Sequence, residues 1–239
     1  MMRLLEAWRE QQTTTTYHDL SFDERFGLLV EHEYRKRQHD RRQRRLRQAD
    51  LPHPHISTEA IDFALPRGLK KTQILQLAQG QWVTEALQVV VIGPTGIGKT
   101  FLSSAIAAQL CQAGHTVRYF KTAELLGELK LAKTDGSFPR LQKQLLATHL
   151  IILDEWLRDA LAVNEAREIL DFLDDRYRKR ACLFASQLPV EQWHAQIQDP
   201  TLADAILDRI VHDAVRLTLK GESMRKLTSP IQRNDPTNN

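Results

Sequence analysis

The sequence predicts an α/β protein: a five-stranded parallel sheet with helices on both faces, plus a small all-α region at the N-terminal end. Five short apolar runs lie between residues 88 and 219, and helical patterns separate them. The runs do not alternate apolar with polar residues, which is typical of parallel strands buried on both faces. Ahead of residue 88, the apolar residues recur at helical spacing.

The composition excludes several other classes of protein. Of the 239 residues, 42% are hydrophobic and 26% are charged, which excludes wholesale disorder. The longest apolar runs are too short to span a bilayer, and Met1 to Glu10 lack the apolar core of a signal peptide. Two cysteines without a CxxC pattern exclude a disulfide scaffold and a cysteine zinc site. We therefore expect a cytoplasmic protein with no membrane partner.

The N-terminal region predicts two helices and a linker. Residues 1–11 form a short amphipathic helix, and Ser21 with Glu24 makes the capping-box pattern that starts a second one. That helix can continue to about residue 49, before Pro52 ends it. The Pro-His-Pro-His run that follows predicts a turn or stiff linker rather than a metal site. A further short helix is expected over residues 57–63.

The second helix ends in a basic run. Residues 35–47 hold eight basic side chains and one acid, whereas residues 19–33 hold five acids and one arginine. Such segregation is compatible with an ordinary solvated helix face, but the continuous arginines favour a helix that binds nucleic-acid phosphates without sequence choice. The run has no aromatic residues for stacking on single strands, which favours duplex DNA. The candidate DNA-binding residues are Arg35, Lys36, Arg37, Arg41, Arg42, Arg44, Arg45 and Arg47.

The rest of the chain alternates strands with helices. Strands are expected at residues 88–92, 115–120, 149–153, 181–185 and 215–219. Helices are expected at residues 72–79, 101–113, 122–133, 139–147, 164–180, 189–197 and 201–214.

The segment between the first strand and its helix matches the phosphate-loop pattern GxxxxGK[ST]. Its glycines let successive N–H groups face phosphates, and the helix adds its positive N-terminal end. Lys99 would reach the β- and γ-phosphates, and the Thr100 hydroxyl would bind Mg²⁺. The sequence therefore predicts ATP and Mg²⁺ as cofactors. The candidate nucleotide-binding residues are Gly93, Pro94, Thr95, Gly96, Ile97, Gly98, Lys99, Thr100 and Phe101.

A second motif, which is acidic and is called the second acidic motif below, follows the third strand. Leu150 to Leu153 are apolar, and Asp154 and Glu155 come directly after them. Asp154 at the carboxyl end of a strand can hold Mg²⁺, and Glu155 can polarise an attacking water, which predicts hydrolysis. A plain helix-capping acid pair is the alternative.

Each of two further polar features allows two interpretations. Ser186 and Gln187 follow the fourth strand, where a side chain either approaches the γ-phosphate or makes ordinary turn hydrogen bonds. Arg209 lies on a predicted helix, either as an i,i+4 partner of Asp213 or as an arginine finger that enters a neighbouring subunit's ATP site.

Five stretches resemble the IstB-like helper ATPases of bacterial insertion-sequence transposition, which are similar to the DnaC and DnaA clade of AAA+ ATPases. Besides the phosphate loop and the Leu153-Asp154-Glu155 strand end, they are residues 185–190 (ASQLPV), 199–209 (DPTLADAILDR) and 219–225 (LKGESMR). The likeness covers nearly the whole chain. One departure is Trp156-Leu157, where family members usually have Phe-Gly.

The resemblance implies an AAA+ sheet order with the phosphate-loop strand central. It also implies Ser186 or Gln187 as first sensor, Arg209 as a finger acting in trans and Arg225 as a candidate second sensor. ATP would drive assembly of a homo-oligomer on duplex DNA, which recruits and stimulates a cognate transposase and steers target choice. We therefore expect a DNA-binding domain at residues 1–64, a linker and adenine-side segment at 65–88, and the ATPase core at 89–228. Only about 20 residues follow the last strand, which predicts a reduced C-terminal lid, and the polar residues 229–239 predict a disordered tail.

Other functions remain open from the sequence. A helicase loader would need a partner helicase and would prefer single strands. A small-molecule kinase would leave Glu155 and the basic helix unexplained. A DNA-bound scaffold could bind ATP without turning it over.

Overall fold

The computed structural model describes residues 2–17 and 19–224, and the chain divides into two compact units between Arg45 and Leu46. This boundary corrects the expected one after residue 64. The physical reason is burial: Ala49, Leu51 and Ile61 lie in the apolar core of the second unit. The segment expected to belong to a separate helical domain is therefore part of the larger unit's core.

The first unit is helical, as expected. Helix α1 spans Met2–Thr13, a 3₁₀ turn spans Thr15–Tyr17, and α2 spans Phe22–Ala49, so that α2 begins in one unit and ends in the other. The predicted capping box is present, since the Glu24 carboxylate accepts from the Ser21 N–H at 2.8 Å and the Ser21 Oγ accepts from the Glu24 N–H at 3.3 Å. These bonds satisfy backbone donors that the first turn leaves without partners.

The start of the second unit is less helical than predicted. Only a 3₁₀ turn, Thr58–Ala60, forms within residues 57–63, because Ile61 turns to an extended conformation and its side chain is buried in the core. Helix α3 follows at Lys71–Gln79 and ends at Gly80, whose φ of 84° is the left-handed conformation that suits glycine. A single-turn helix, α4, spans Gln81–Thr84.

The five predicted strands form one parallel sheet. They are β1 (Gln88–Ile92), β2 (Val117–Lys121), β3 (Leu150–Asp154), β4 (Ala181–Ser186) and β5 (Val215–Thr218). Their order is β2-β3-β4-β1-β5, so the phosphate-loop strand β1 is internal but the middle strand is β4. All the pairs are parallel, and the carboxyl ends of β1, β3 and β4 therefore meet at one edge.

Helices cover both faces of this sheet. They are α5 (Lys99–Ala113), α6 (Thr122–Asp135), α7 (Phe138–Ala147), α8 (Val163–Arg176) and α9 (Pro200–Val211). Val89 and Val91 point into an apolar cluster with α3 and α5, and Val90 points into another cluster with α6, α8 and α9. Burial on both faces explains why the internal strands β1, β3 and β4 are almost continuously apolar, whereas the edge strands β2 and β5 carry charged residues.

Two predicted helices are shorter than expected. Helix α8 ends at Arg176 rather than at residue 180, since Arg178 takes a left-handed φ of 55°. Residues 189–197 form only two 3₁₀ turns, Val190–Gln192 and His194–Gln196. There the buried Trp193 donates from its indole to the Leu188 carbonyl at 3.0 Å, and residue 197 pairs with Leu161, so the segment is fixed by tertiary contacts.

Three expectations concern residues outside the described part of the chain. Arg225, the disordered tail over 229–239 and most of the reduced lid fall after Met224, where the described residues end. Within residues 2–17 and 19–224, none of the helices is both long enough and apolar enough to cross a bilayer.

Candidate nucleotide-binding site

A cavity of about 570 Å³ opens at the carboxyl edge of the sheet. It brings together the phosphate loop, the second acidic motif and a segment that precedes β1. This volume lies in the range of small-molecule sites. The residues that line it are His53, Ala60, Asp62, Arg67, Thr95, Gly96, Gly98, Lys99, Thr100, Phe101, Asp154, Glu155, Arg158, Gln187 and Met224.

The phosphate loop has the backbone conformation that its glycines were expected to allow. Gly96 and Gly98 have φ values of 80° and 101°, and Gly98 caps α5, which begins at Lys99. A Cβ atom at Gly93 would lie 2.9 Å from the Leu219 carbonyl oxygen, so only glycine fits there. The first-turn N–H groups of α5 have no partner within the helix, which makes this end suited to an anion.

The Lys99 ammonium is folded over the loop. It donates to the carbonyls of Gly93 and Pro94, at 2.7 and 3.1 Å. Burial lowers the pKa of Lys99, and the charge of Asp154 opposes that change. A phosphate in the loop would offer this ammonium charged acceptors in exchange for two carbonyls. The loop therefore fits the phosphates of a nucleotide.

Thr100 and Asp154 form the expected pair for a magnesium ion. The Thr100 hydroxyl donates to Asp154 Oδ2 at 2.5 Å, and the Glu155 N–H donates to Asp154 Oδ1 at 2.8 Å. The described residues contain no group of three or more His, Cys, Asp or Glu that could hold a metal. Mg²⁺ bound here would thus complete its shell from phosphate oxygens and water, as is usual for this ion.

Tyr119 is a site residue that sequence reasoning missed. Its hydroxyl donates to Asp154 Oδ2 at 2.9 Å from the neighbouring strand β2. Burial, helped by the Asp154 carboxylate, raises the pKa of Tyr119 well above its usual range, so the phenol stays a donor. A tyrosine within the strand predicted at residues 115–120 was the only signal in the sequence, and the pairing of β2 with β3 was needed to place it.

Glu155 lies at the cavity edge and is held by Arg158. Its backbone takes a left-handed φ of 55°, which is uncommon for a residue with a side chain. Arg158 Nη1 contacts the Glu155 carboxylate, and Arg158 Nη2 donates to Asp159 at 2.7 Å. The predicted water activator is therefore in an ion pair that the sequence did not indicate.

The two residues after β4 have different surroundings. Ser186 is fully buried, where its hydroxyl donates to the Trp156 carbonyl at 2.8 Å and accepts from the Leu188 N–H at 3.1 Å. Gln187 lines the cavity and accepts from the Thr95 hydroxyl of the phosphate loop at 2.7 Å. Ser186 thus makes the ordinary turn hydrogen bonds, and Gln187 is the one that faces the loop.

Trp156, which follows the two acids, is anchored by its backbone and by its ring. Its backbone N–H donates to the Ala185 carbonyl at 2.9 Å. Its ring is fully buried, with the rings of Phe184 and Trp193 centred 5.0 and 6.0 Å away. The large side chain fills the core beneath the strand ends.

Arg209 lies away from the cavity of its own chain. It contacts Asp174 of α8 through Nε and donates from Nη1 to the Ala205 carbonyl at 2.8 Å. Arg209 therefore pairs with Asp174. The helical spacing had suggested Asp213 as its partner. Its side chain lines a separate depression that includes Glu85 and Arg178.

The basic run covers all sides of α2. Seven of the eight side chains are exposed and Arg45 is half-buried. At 3.6 residues per turn, their positions point in every direction around the helix rather than along one stripe. Arg35 pairs with Glu31 at 2.6 Å and Arg37 with Glu33 at 2.7 Å, both exposed i,i+4 pairs of small energetic weight. The structure thus leaves most of these cations available to phosphates.

Comparison with known proteins shows which sequences and folds the chain resembles. The chain is 37% identical to the insertion sequence ATP-binding protein y4pL of Sinorhizobium fredii, over 93% of this chain and 91% of that protein. Its fold is similar to those of many solved structures, including DnaI and the DnaC helicase loader, each with 19% identity. The DnaI structure has a TM-score of 0.60 over 70% of this chain and 92% of that one. The DnaC helicase loader has a TM-score of 0.53 over 74% of this chain and 99% of that one.

A family model extends the match along almost the whole sequence. The model is described as IstB-like ATP binding protein, and it matches residues 1–230. The matched range includes the phosphate loop, the second acidic motif and the basic helix. The chain therefore belongs to the IstB-like ATP binding protein family.

Proposed function

We propose that this protein is a Mg²⁺-dependent ATPase that assembles on duplex DNA and recruits and stimulates a partner transposase during insertion-sequence transposition. The observation that carries the proposal is the convergence of Lys99, Thr100 and the two acids of residues 154–155 on one cavity. The insertion-sequence relatives support the transposition context.

Hydrolysis would use the residues at the carboxyl edge of the sheet. Mg²⁺, when bound, would neutralise charge on the phosphates. The phosphate loop and Lys99 would hold the triphosphate, and Glu155 would accept the proton of a water that attacks the γ-phosphorus while the bond to ADP breaks. Gln187 would report on the γ-phosphate, since it is already hydrogen-bonded to the loop at Thr95. Arg158 would have to release Glu155 for this step.

Assembly would complete the site. Arg209 is remote from the nucleotide cavity of its own chain, and its side chain is only partly exposed. An arginine in this position can stabilise transition-state charge only in a neighbouring subunit. We therefore assign Arg209 to a trans role in an ATP-dependent homo-oligomer, which requires its contact with Asp174 to break.

DNA binding would come from the end of α2. Its cations surround the helix and seven of the eight are exposed, so they suit the phosphate backbone rather than base edges. Assembly of this kind would place the protein in the cytoplasm, on the nucleoid.

The test is the mass of the protein with ATP or ADP, each with and without duplex DNA, alongside phosphate release. A large species that needs both ATP and duplex, with slow release, is the expected result. A monomer in all four conditions would contradict the assembly model and remove the trans role of Arg209. Assembly on single strands in preference to duplex would favour a helicase loader instead.

A further inference from the structure

Arg67 is a buried cation in the wall of the nucleotide cavity. It lies in the segment between the 3₁₀ turn at Thr58–Ala60 and α3, only 6% of it is exposed, and it lines the cavity together with the phosphate loop. Nothing in the sequence patterns pointed to it, because it belongs to no motif.

The backbone around Arg67 is fixed by the end of β5. The Arg67 carbonyl accepts from the Lys220 N–H at 3.0 Å. A Cβ atom at Gly68 would lie 3.2 Å from the Thr218 carbonyl oxygen, and one at Gly221 would lie 3.3 Å from that of Pro66. These close approaches hold the segment in place, so the Arg67 side chain is presented from a rigid support.

Not every N–H donor of the Arg67 guanidinium has an acceptor among the described residues. Nη2 donates to the Asp62 carbonyl at 2.6 Å, while Nε is buried and has no hydrogen-bond partner among the described residues. The Asp62 carboxylate accepts from the Ala64 N–H at 2.9 Å, and Arg67 forms no ion pair within the described part of the chain. Burying a charge is costly unless an opposite charge compensates it. An anion beside Arg67 would supply that compensation.

The phosphate loop is the feature next to this cation. A Cβ atom at Gly98 would lie 3.4 Å from Arg67 Nη1, and Gly98 immediately precedes Lys99 and caps α5. The planar guanidinium matches phosphate oxygens with two parallel hydrogen bonds, which a lysine cannot provide.

The sheet order indicates which phosphates of a bound nucleotide the Arg67 guanidinium can contact. Glu155 and Gln187 follow β3 and β4 on one side of β1, and the Arg67 segment is held by β5 on the other side. The groups assigned to the γ-phosphate therefore lie on the β4 side of the loop, opposite to Arg67.

We propose that Arg67 binds the diphosphate that ADP and ATP share, as a nucleotide-binding residue outside the phosphate loop. This inference rests on the proposed nucleotide site. It makes Arg67 a determinant of affinity for both nucleotides, not of the discrimination between them.

The test is calorimetric titration of ADP and of a non-hydrolysable ATP analogue into the full chain. Arg67→Met should weaken both by about ten- to a hundredfold, the range expected for losing hydrogen bonds to a charged group. The ratio of the two affinities should stay unchanged. Arg67→Lys, which keeps the charge and loses the fork, should bind with intermediate affinity. Arg140→Met removes an exposed arginine as a matched control.

Thermal melting separates binding from folding. Without nucleotide, Arg67→Met should melt close to the wild type, because loss of the hydrogen bond to the Asp62 carbonyl is offset by removal of a buried charge that has no ionic partner among the described residues. With ADP it should gain less stabilisation. Unchanged affinity of Arg67→Met, or a weakening confined to the ATP analogue, would overturn the proposal; if this variant does not fold, unchanged affinity of Arg67→Lys would do so.

The same titrations distinguish failure of the inference from failure of the proposed function. If wild type binds and Lys99→Ala does not, while Arg67→Met binds normally, the nucleotide site stands and the role of Arg67 falls. If the wild type binds neither nucleotide, the proposed function itself fails.

Discussion

Replacing Arg176 of α8 should strongly lower the free energy of unfolding, because its buried guanidinium donates several hydrogen bonds to backbone carbonyls. The side chain is 1% exposed and lies where α7, the loop before β3 and the start of β4 meet. Its guanidinium donates to the carbonyls of Leu145 at 2.5 Å, Thr148 at 3.1 Å and Ala181 at 2.7 Å. These three carbonyls belong to the last turn of α7, the residue that follows it and the first residue of β4, so Arg176 links α8 to both segments.

The magnitude follows from those acceptors. In Arg176→Met each of the three carbonyls loses a charged donor, and an orphaned buried acceptor costs about 1–3 kcal/mol. The variant also avoids the cost of desolvating a buried charge, which offsets part of this loss. We therefore expect a net destabilisation of about 3–5 kcal/mol. Since a domain has only about 5–15 kcal/mol of stability, the variant should be close to the limit of folding.

Urea denaturation measures this directly. With a slope of about 2 kcal/mol per molar urea, the midpoint should fall by about 2 M. Arg167→Met, an exposed arginine on the same helix, is the matched control and should change stability by less than about 0.5 kcal/mol. Equal midpoints for the two variants would refute the reasoning that the carbonyl hydrogen bonds hold these segments together.

Three further predictions concern function. Glu155→Gln should slow phosphate release by about a hundredfold or more while ATP-bound multimers persist, as expected when a general base is removed; turnover at the wild-type rate would exclude Glu155 as the water activator. Tyr119→Phe should leave nucleotide binding intact but raise the Mg²⁺ concentration needed for half-maximal activity several-fold, because Asp154 loses a hydrogen bond; an unchanged Mg²⁺ dependence would make the tyrosine purely structural. Reversing four arginines of α2 to glutamate should weaken duplex binding and flatten its logarithmic salt dependence by about 0.9 for each DNA phosphate that the protein no longer neutralises. Unchanged affinity in a fluorescence anisotropy titration would move DNA binding to the larger unit. The four positions are Arg41, Arg42, Arg44 and Arg45.

Features that depend on nearby residues were predictable from the sequence. The capping box at Ser21 and Glu24, the stop at Gly80 and the glycine-rich loop before Lys99 all follow from local backbone chemistry. The internal strands β1, β3 and β4 were recognisable because burial on both faces leaves nearly continuous apolar runs. In each case the deciding interaction lies within a few positions along the chain.

Features that depend on chain segments far apart were not predictable. Residues 57–63 have a helical apolar spacing, yet Ile61 is drawn into the core and only one 3₁₀ turn remains. The choice between Ser186 and Gln187 depended on which way each side chain leaves the end of β4. Tyr119 and Arg67 became site residues only once the strand order was known. The partner of Tyr119 lies 35 positions away, and Arg67 lies next to the loop around Gly98.

The burial of Trp156 gives the protein an optical reporter of its own. Indole emission shifts with the polarity around the ring and is sensitive to energy exchange with a second indole. Trp156 immediately follows the two acids, and its ring is centred 6.0 Å from that of Trp193, with neither ring exposed to water. Any movement of the strand end that frees Glu155 would change this pair. Fluorescence of the unlabelled protein should therefore respond to movement of the second acidic motif when nucleotide is added, on top of the emission of Trp8 and Trp82.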